Sequence, residues 1–290
     1  CGVGGALTAS TAGLPAGTHG VELLSSKLVV GGNFIANNAG SEGLRIASVS
    51  HVKINGTMTT NLNGALGVRA EDSSVLDVTF NMTSNTNTDE GFIVQDNSRV
   101  NGSSNCTASG NTSGSGILVR SGSSFRIGGT TTASSNVGGG GSNGIRVEDG
   151  CTGTFGVIVA NSNSGSNILV SGTSQVRFTN LVTTNGSTGG SGIEVEKLSV
   201  VSVNTNIISQ DNFVDGIRLS TCATFQSTGT IMSAVLMPNG AFGINIRSGS
   251  RMCNNGSGNT NNITGGSGDV RVGTAGTKSW VNIQSMTPAN

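Results

Sequence analysis

A four-residue motif, glycine followed by an apolar residue, any residue and a second apolar residue, recurs along almost the whole chain. Most successive copies begin 23 to 25 residues apart, and the longest interval is 28 residues. A period of this length, built from short alternating segments without helical periodicity, is typical of a solenoid. The eleven copies begin at Gly20, Gly43, Gly67, Gly91, Gly116, Gly144, Asn167, Gly192, Gly216, Gly243 and Asp269.

The apolar residues of each repeat form three short groups. With the first motif residue as position zero, they lie at +1 and +3, as in Leu44 and Ile46, and at +9 and +11, as in Val52 and Ile54. A looser third group begins between +13 and +17. A period of two points alternate side chains into a core. The sequence therefore predicts an all-β, single-stranded, right-handed parallel β-helix of about ten to eleven coils with three short strands per coil.

The same pattern predicts the organisation of the chain. Residues 1–19 are expected to be an N-terminal lead-in or cap, residues 20–275 the parallel β-helix, and residues 276–290 the last strand and a C-terminal tail. A leucine-rich repeat has a similar period, but its Leu-x-x-Leu-x-Leu consensus is absent. The +1 and +3 residues are predicted to be buried and aligned from coil to coil. The +2 arginines are predicted to be exposed: Arg45, Arg69, Arg146, Arg218 and Arg271.

Charge and hydropathy narrow the range of partners. The chain has 15 basic and 15 acidic residues, and its arginines are spread over the coils, so no nucleic-acid partner is predicted. No apolar stretch approaches the length that spans a membrane, so no membrane insertion is predicted. No residue pattern indicates a cofactor or a metal site.

The five cysteines are predicted to be free, because they occupy different positions of the repeat. Cys106 lies at +15, Cys151 at +7, Cys222 at +6 and Cys253 at +10. Cys151 and Cys222 are three coils apart, or roughly 14 Å, which is beyond the reach of a disulfide. We expect these free cysteines to act as small core residues. They favour a chain completed in a reducing cytoplasm over one exported through an oxidising compartment.

Carboxylates at matching positions of adjacent coils are the candidate catalytic groups. Asp72 and Asp96 both lie at +5, so their Cα atoms are expected about 5 Å apart, near the carboxyl separation of a retaining glycosidase. A bound cation would explain this pair equally well. The structural alternative is a ladder of solvated side chains at the end of the first strand.

The candidate binding residues are other charged side chains of the same strands and their ends. Glu148 and Glu196 share position +4 two coils apart, and Glu194 faces Arg218 at +2 on the next coil. A pectate-lyase site has an acidic calcium cluster opposite a basic residue. Asp72, Asp96 and Arg120 match this arrangement only weakly. The alternative is ordinary surface ion pairing, worth under about 1 kcal/mol for each pair.

Two features of the surface argue against particular functions. The chain has no tyrosine and one tryptophan, whereas sugar-binding grooves commonly use exposed aromatic faces. A repeated Thr-x-Thr ladder of the kind that would indicate ice binding is not apparent, because Thr130–Thr132 and Thr183–Thr184 do not recur from coil to coil. Asn87-Thr88-Asp89 matches one short motif of polygalacturonases, but the other motifs of that family are absent.

Two repeats, SSNCTASGNTSGSGILVRSGSSFRI and TTASSNVGGGGSNGIRVEDGCTGTF, resemble the β-helical repeats of bacteriophage tail spikes and tail fibres. The resemblance covers about residues 20 to 285. It implies side-by-side β-helices in a homotrimer, a location at the virion tail, and binding or cleavage of host surface glycans. No catalytic residue is carried over, because no catalytic motif matches.

Similar repeats occur in bacterial surface adhesins and autotransporter passengers, so three functions are considered. The first is a host-recognition segment of a tail spike or fibre that binds a cell-surface polysaccharide or receptor. The second is a bacterial adhesin or filament subunit, at the cell surface or secreted. The third is a polysaccharide lyase or glycoside hydrolase. Free cysteines favour the first over the second, and the scarcity of carboxylates and aromatic residues counts against the third.

Overall fold

A computed structural model describes residues 1–10, 15–138, 141–231 and 239–254, and the backbone alone of residues 232–233, 261–263, 268–272, 280–283 and 286–287. Strands and short turns make up these residues. None of the residues described forms a helix, and so none forms an apolar helix long enough to cross a membrane.

The strands stack in three parallel series, which we call the first, second and third sheets. The first sheet has eleven strands: Val21–Leu24, Leu44–Ala47, Val68–Ala70, Phe92–Val94, Ile117–Val119, Ile145–Val147, Ile168–Val170, Ile193–Val195, Ile217–Leu219, Phe242–Ile246 and Gly268–Val272. The second sheet contains Gly2–Val3, Lys27–Val30, His51–Ile54, Val75–Val78, Arg99–Gly102, Gln175–Phe178, Val200–Val203, Thr224–Ser227, Arg251–Asn254 and Trp280–Ile283. The third contains Leu7–Thr8, Phe34–Ile35, Met58–Thr59, Met82–Thr83, Cys106–Thr107, Val182–Asn185, Ile207–Gln210, Ile231–Ser233, Asn261–Ile263 and Met286–Thr287.

Two long strands, Ser124–Thr132 and Thr152–Val159, bend around a corner and belong to both the second and the third sheet. Each strand pairs in parallel with its equivalents one coil before and one coil after. The strand Phe92–Val94, for example, lies between Val68–Ala70 and Ile117–Val119. The predicted parallel β-helix is therefore confirmed, with about ten turns. Parallel stacking includes Gly2–Val3 near one end and Met286–Thr287 near the other.

The core runs along the axis of the solenoid. From Leu44 to Ile246, every +1 and +3 residue of the first sheet is fully buried, as predicted. Phe125 packs between Phe92 and Phe155, and Phe178 continues the stack, with ring centroids 5.8 to 5.9 Å apart. Full burial of each large apolar side chain contributes about 1.5–3 kcal/mol. One narrow, continuous core therefore supports all three sheets.

A buried ladder of asparagine side chains runs along the corner between the third sheet and the next strand of the first. The Nδ2 atoms of Asn63, Asn87, Asn111 and Asn136 each donate to the Oδ1 of the following rung, and the last of these acceptors is Asn163, with N–O distances of 2.8 to 3.2 Å. Because these hydrogen bonds satisfy the amides, burying them destabilises the fold only slightly.

Close approach of both the backbone and the ladder explains why the motif begins with glycine, since a Cβ atom built on Gly116 would lie 2.4 Å from the carbonyl oxygen of Ala108. A Cβ atom built on Gly43, Gly116 or Gly192 would lie only 2.7 to 2.8 Å from the Nδ2 of the ladder asparagine in the same coil. Such a contact is tighter than a real Cβ tolerates, so a side chain at position zero would displace the amide. The motif glycine and the ladder asparagine are thus sterically coupled.

Among the coils whose side chains are described, one departs from this rule. Its position zero is Asn167, and the residue at the ladder position is Ser187 rather than asparagine. Here Asn167 closes the gap, because its Oδ1 accepts from Asn163 Nδ2 at 2.8 Å and its Nδ2 donates to Asn212 Oδ1 at 3.0 Å. The ladder is continued by an amide from a different position of the repeat.

The third sheet has an aligned row of threonines that differs from a Thr-x-Thr ladder. Thr59, Thr83, Thr107 and Thr132 are aligned in four consecutive coils and point outward, so a threonine ladder is present. The sequence search looked for Thr-x-Thr pairs, whereas this ladder has one threonine per coil. It is interrupted at Val159, which pairs with Thr132.

All five cysteines are free thiols in the structure. Cys106 and Cys151 are buried, and burial raises the pKa of the Cys151 thiol to about 11. The prediction of a core position is wrong for Cys222, which is exposed in a corner with φ of 61°. Cys253 is half-buried in the second sheet.

Candidate functional site

The structure places Asp72 and Asp96 at the corner that follows the first-sheet strand. Their φ values are 54° and 56°, and the next residues, Ser73 and Asn97, are also left-handed. Aspartate and asparagine tolerate this conformation better than most residues. The Ser73 N–H donates to the Asp96 carbonyl at 2.8 Å, which stacks the two corners as the predicted ladder requires. The positions of both aspartates are therefore explained by the turn itself.

Buried glutamates distinguish the outer surface of the first sheet, here called the first face. Glu71 is only 5 % exposed, and it accepts hydrogen bonds from Arg45 at 2.9 Å, Arg69 at 2.7 Å and Gln95 at 2.9 Å. Burial alone would raise the pKa of Glu71. The hydrogen bonds from Arg45 and Gln95 and the charge of Arg69 outweigh burial and hold that pKa below its usual value. This part of the first face is a compensated ionic network.

The arginines of the +2 row are half-buried, so the prediction of their exposure is wrong. The side chains of Arg45, Arg69 and Arg218 are 31 % exposed, and that of Arg146 is 39 % exposed. Each guanidinium lies over the strand and contacts a carboxylate from a neighbouring position, which removes it from solvent. Arg271 lies outside the residues whose side chains are described.

Arg120 joins the same network rather than the corner aspartates. Its Nε and Nη2 donate to Gln95 Oε1 at 2.9 and 2.6 Å, and Gln95 in turn donates to Glu71. The described contacts of Arg120 are therefore with Gln95, and the predicted grouping of Arg120 with Asp72 and Asp96 is not formed. Among the residues described, no group of three histidine, cysteine, aspartate or glutamate side chains could hold a metal ion.

Two adjoining depressions lie further along the first face, and we call them the paired clefts. The smaller, about 170 Å³, is lined by Glu90, Ser113, Ser115, Ser142 and Arg146. The larger, about 270 Å³, is lined by Arg146, Ser166, Leu169, Glu194 and Arg218 among others. Both include Gly141 and Arg146. One guanidinium therefore serves both clefts, each of which has a glutamate in its wall.

The larger cleft contains the predicted pair Glu194 and Arg218, whose register is confirmed. Glu194 accepts a hydrogen bond from Ser166 Oγ at 2.8 Å and lies 3.3 Å from Arg218 Nη1. The Nε of Arg218 is buried and has no hydrogen-bond partner among the described residues. Because Nε is covered, a ligand would contact this guanidinium through its other two nitrogen atoms, which are the donors left for the larger cleft.

Glu148 and Glu196 directly follow Val147 and Val195, which are two coils apart in register, and each glutamate contacts a different cation. Glu148 forms a two-point contact with Arg146, at 2.9 Å from Nε and 2.7 Å from Nη2, and so orients the guanidinium shared by the paired clefts. Glu196 instead contacts Lys197 at 3.3 Å. Each of the two carboxylates therefore has its own cation.

The sequence analysis missed Glu90 as a candidate. Burial raises the pKa of Glu90 to about 7, and a hydrogen bond and the negative charge from Asp89 add to the effect. The signal was available, because Asp89 and Glu90 are two consecutive carboxylates directly before the motif glycine Gly91. It was overlooked because carboxylates were compared between coils and not within one coil.

The chemistry of the paired clefts is that of binding a hydroxylated ligand. Guanidinium groups donate, glutamates accept, and serine hydroxyls do both, whereas two facing carboxylates of the kind that cleave a glycosidic bond are not assembled there. Comparison with known proteins adds no relative, because no family model, curated protein or solved structure matches the chain.

Proposed function

We propose that this chain is a structural and host-recognition segment of a phage tail spike or tail fibre, and that its paired clefts bind a cell-surface glycan or receptor. The observation that carries the proposal is the shared position of Arg146, held by Glu148 between two polar clefts that contain Glu90 and Glu194. The repeat style described above supports the assignment to a tail spike or fibre. The location proposed is the virion tail.

The shape of the chain suits this role. Coils stacked about 4.8 Å apart give ten coils a length of about 50 Å, with lateral faces available along the whole rod. The full-length protein is proposed to be a homotrimer of such rods, in keeping with the closed symmetry of most oligomers. Nucleic acid and membrane insertion have no part in the proposal.

Two alternatives remain. A bacterial extracellular adhesin or filament subunit would use the same rod at the cell surface, and the free cysteines argue against passage through an oxidising compartment. A polysaccharide lyase or glycoside hydrolase is favoured by one observation, the raised pKa of Glu90 in a cleft, which suits a general acid near neutral pH. Such an enzyme would use Glu90 in place of Asp72 and Asp96.

The test is binding to an array of bacterial surface glycans by the unmodified chain and by Arg218→Gln. We expect Arg218→Gln to weaken binding about tenfold, because a charged hydrogen-bond donor is removed from the larger cleft. Lys197→Gln, which removes an exposed cation from a corner outside the paired clefts, is the control and should bind like the unmodified chain. Binding to no glycan, or equal loss in both variants, would contradict the role of the paired clefts. Release of new reducing ends that Glu90→Gln abolishes would favour the enzyme.

A further inference from the structure

Cations gather on the outer surface of the second sheet, here called the basic face. In the coils whose side chains are described, each second-sheet strand from Lys27–Val30 to Arg251–Asn254 directs two residues outward. The outward residues include a single carboxylate, Asp77, and an uncharged majority of serine, threonine, valine, asparagine and glutamine. The six lysines and arginines among them are Lys27, Lys53, Arg99, Arg126, Arg177 and Arg251, and all six are exposed.

These six cations are uncompensated, unlike those of the first face. None of the six forms an ion pair with a described residue. The nearby carboxylate Asp77 is already engaged by His51 Nε2 at 2.9 Å and by Asn101 Nδ2 at 2.7 Å. The basic face therefore presents a positive field to solvent, although the chain as a whole has no net charge.

The cations are arranged along the axis of the rod. Asn101, Arg126, Thr154 and Arg177 follow one another in register in four consecutive coils, so the two arginines are about 10 Å apart. Arg99 lies on the coil before Arg126 and pairs with Ser124, two residues before Arg126. The spacing of Arg126 and Arg177 suits a linear ligand that runs parallel to the axis and contacts both arginines.

Two depressions border this row. One, of about 570 Å³, is lined by Arg99, Asn101, Ser103 and Arg126. The other, of about 290 Å³, is lined by Thr152, Thr154, Gln175, Arg177 and Ser202, among others. Hydroxyl and amide groups thus accompany each arginine.

We propose that the basic face binds a linear carboxylated polysaccharide laid along the rod axis. Arginine presents a planar fork that matches a carboxylate with two hydrogen bonds, and four of the six cations are arginines. The neighbouring Thr154, Gln175 and Ser202 can bond to sugar hydroxyls between the charges. This inference is independent of the paired clefts, because it concerns another face and a ligand of different charge.

A single-stranded nucleic acid fits this surface less well. Proteins that bind single strands stack bases on aromatic side chains, at about 1–3 kcal/mol per base. No aromatic side chain points outward from the second sheet in the coils whose side chains are described. The basic face offers charge and hydrogen bonds without a stacking surface, which favours a sugar polymer.

The experiment is titration calorimetry of the chain with polygalacturonate oligomers, with dextran as the neutral control and oligothymidylate of equal charge as the nucleic-acid control. We expect polygalacturonate to bind at low salt and to bind at least about tenfold more weakly near 0.5 M salt, where exposed charges are screened. Arg126→Gln should weaken binding about three- to fivefold, and Arg126→Gln/Arg177→Gln about tenfold.

Lys197→Gln is the matched control, because it removes one exposed cation from a corner outside the basic face. It should change the affinity less than about twofold, by the screening that limits isolated surface charges. Equal loss in Lys197→Gln and Arg126→Gln, tighter binding of oligothymidylate, binding of dextran, or no binding of polygalacturonate at low salt would each overturn the proposal. Arg218→Gln should bind polygalacturonate normally, so that failure of this inference and failure of the paired clefts are distinguished.

Discussion

The first face and the basic face both contain several arginines, but they use them in opposite ways. On the first face, Arg45, Arg69 and Arg146 are half-buried and each contacts a glutamate. On the basic face, Arg126 and Arg177 are exposed and have no ion-pair partner among the described residues. Guanidinium groups on the first face stabilise buried carboxylates, and those on the basic face remain available to a ligand.

The difference arises from the residues at the ends of the strands. First-sheet strands are preceded or followed by carboxylates such as Glu42, Glu71 and Glu148, which lie beside the +2 row. Second-sheet strands are followed by corners rich in glycine, serine, threonine and asparagine, and no described carboxylate forms an ion pair with Arg126 or Arg177. A net charge of zero therefore conceals one face with paired charges and one with an excess of cations.

The largest expected effect compares the same double change on the two faces. Arg45→Ala/Arg69→Ala leaves Glu71 buried without its cations and should lower the free energy of unfolding by about 3 kcal/mol. Arg126→Ala/Arg177→Ala removes two exposed side chains and should change it by less than about 0.5 kcal/mol. Urea denaturation of both variants measures the difference. Equal losses would mean that the two faces do not differ in the way described.

The second prediction concerns Glu90. Its ionised form is destabilised by the fold, whereas the ionised form of Glu71 on the same face is stabilised. The pKa of Glu90 in the folded chain is about 7, above its ordinary value of 4.5, so ionisation opposes folding. The cost is absent below pH 4.5, grows as the pH rises to 7 and is complete above it. Glu90→Gln should therefore raise the free energy of unfolding by about 1 kcal/mol at alkaline pH, after allowance for solvent screening, and leave it unchanged at acid pH.

The measurement is denaturation of Glu90→Gln and of the unmodified chain across this range of pH. Glu196→Gln, a change of the same kind next to the exposed Lys197, is the control. The same pH dependence in both variants would show that burial beside Asp89 is not its cause.

The smallest expected effect tests the excess of cations on the basic face. Arg126→Glu should raise the free energy of unfolding by less than about 0.5 kcal/mol, because it replaces repulsion from Arg99 with attraction. Lys197→Glu should have the opposite sign, since it places a negative charge beside Glu196. Both effects should vanish at high salt, where denaturation midpoints are compared. A loss of stability in Arg126→Glu would show that Arg126 has a favourable role in the folded chain.

Alternation along the sequence was enough to predict the solenoid and the buried +1 and +3 residues, since a period of two fixes which side chains point inward. It also placed Glu194 beside Arg218. It could not predict how far an outward side chain is covered, so Arg45 and Arg69 were expected in solvent. That coverage depends on residues from neighbouring coils and corners, which a local pattern does not contain.

The basic face was missed for a related reason. Lys53, Arg99, Arg126 and Arg177 follow one another at intervals of 27 to 51 residues, and they form one surface only when successive second-sheet strands are aligned. The asparagine ladder could not be predicted from composition, because asparagine is also common at turns. Its hydrogen bonds run between coils, so that a single repeat gives no sign of them.

The substitution of Asn167 and Ser187 in one coil has a consequence for how such a rod can be edited. A glycine at 167 would leave Asn163 without its amide acceptor, and an asparagine at 187 would collide with the side chain at 167. Each residue is therefore acceptable only with the other, and the coil that contains them cannot be exchanged piecemeal with its neighbours. Any segment of this solenoid that is grafted, duplicated or deleted therefore has to include residues 167 and 187 together, although the coils resemble one another in sequence.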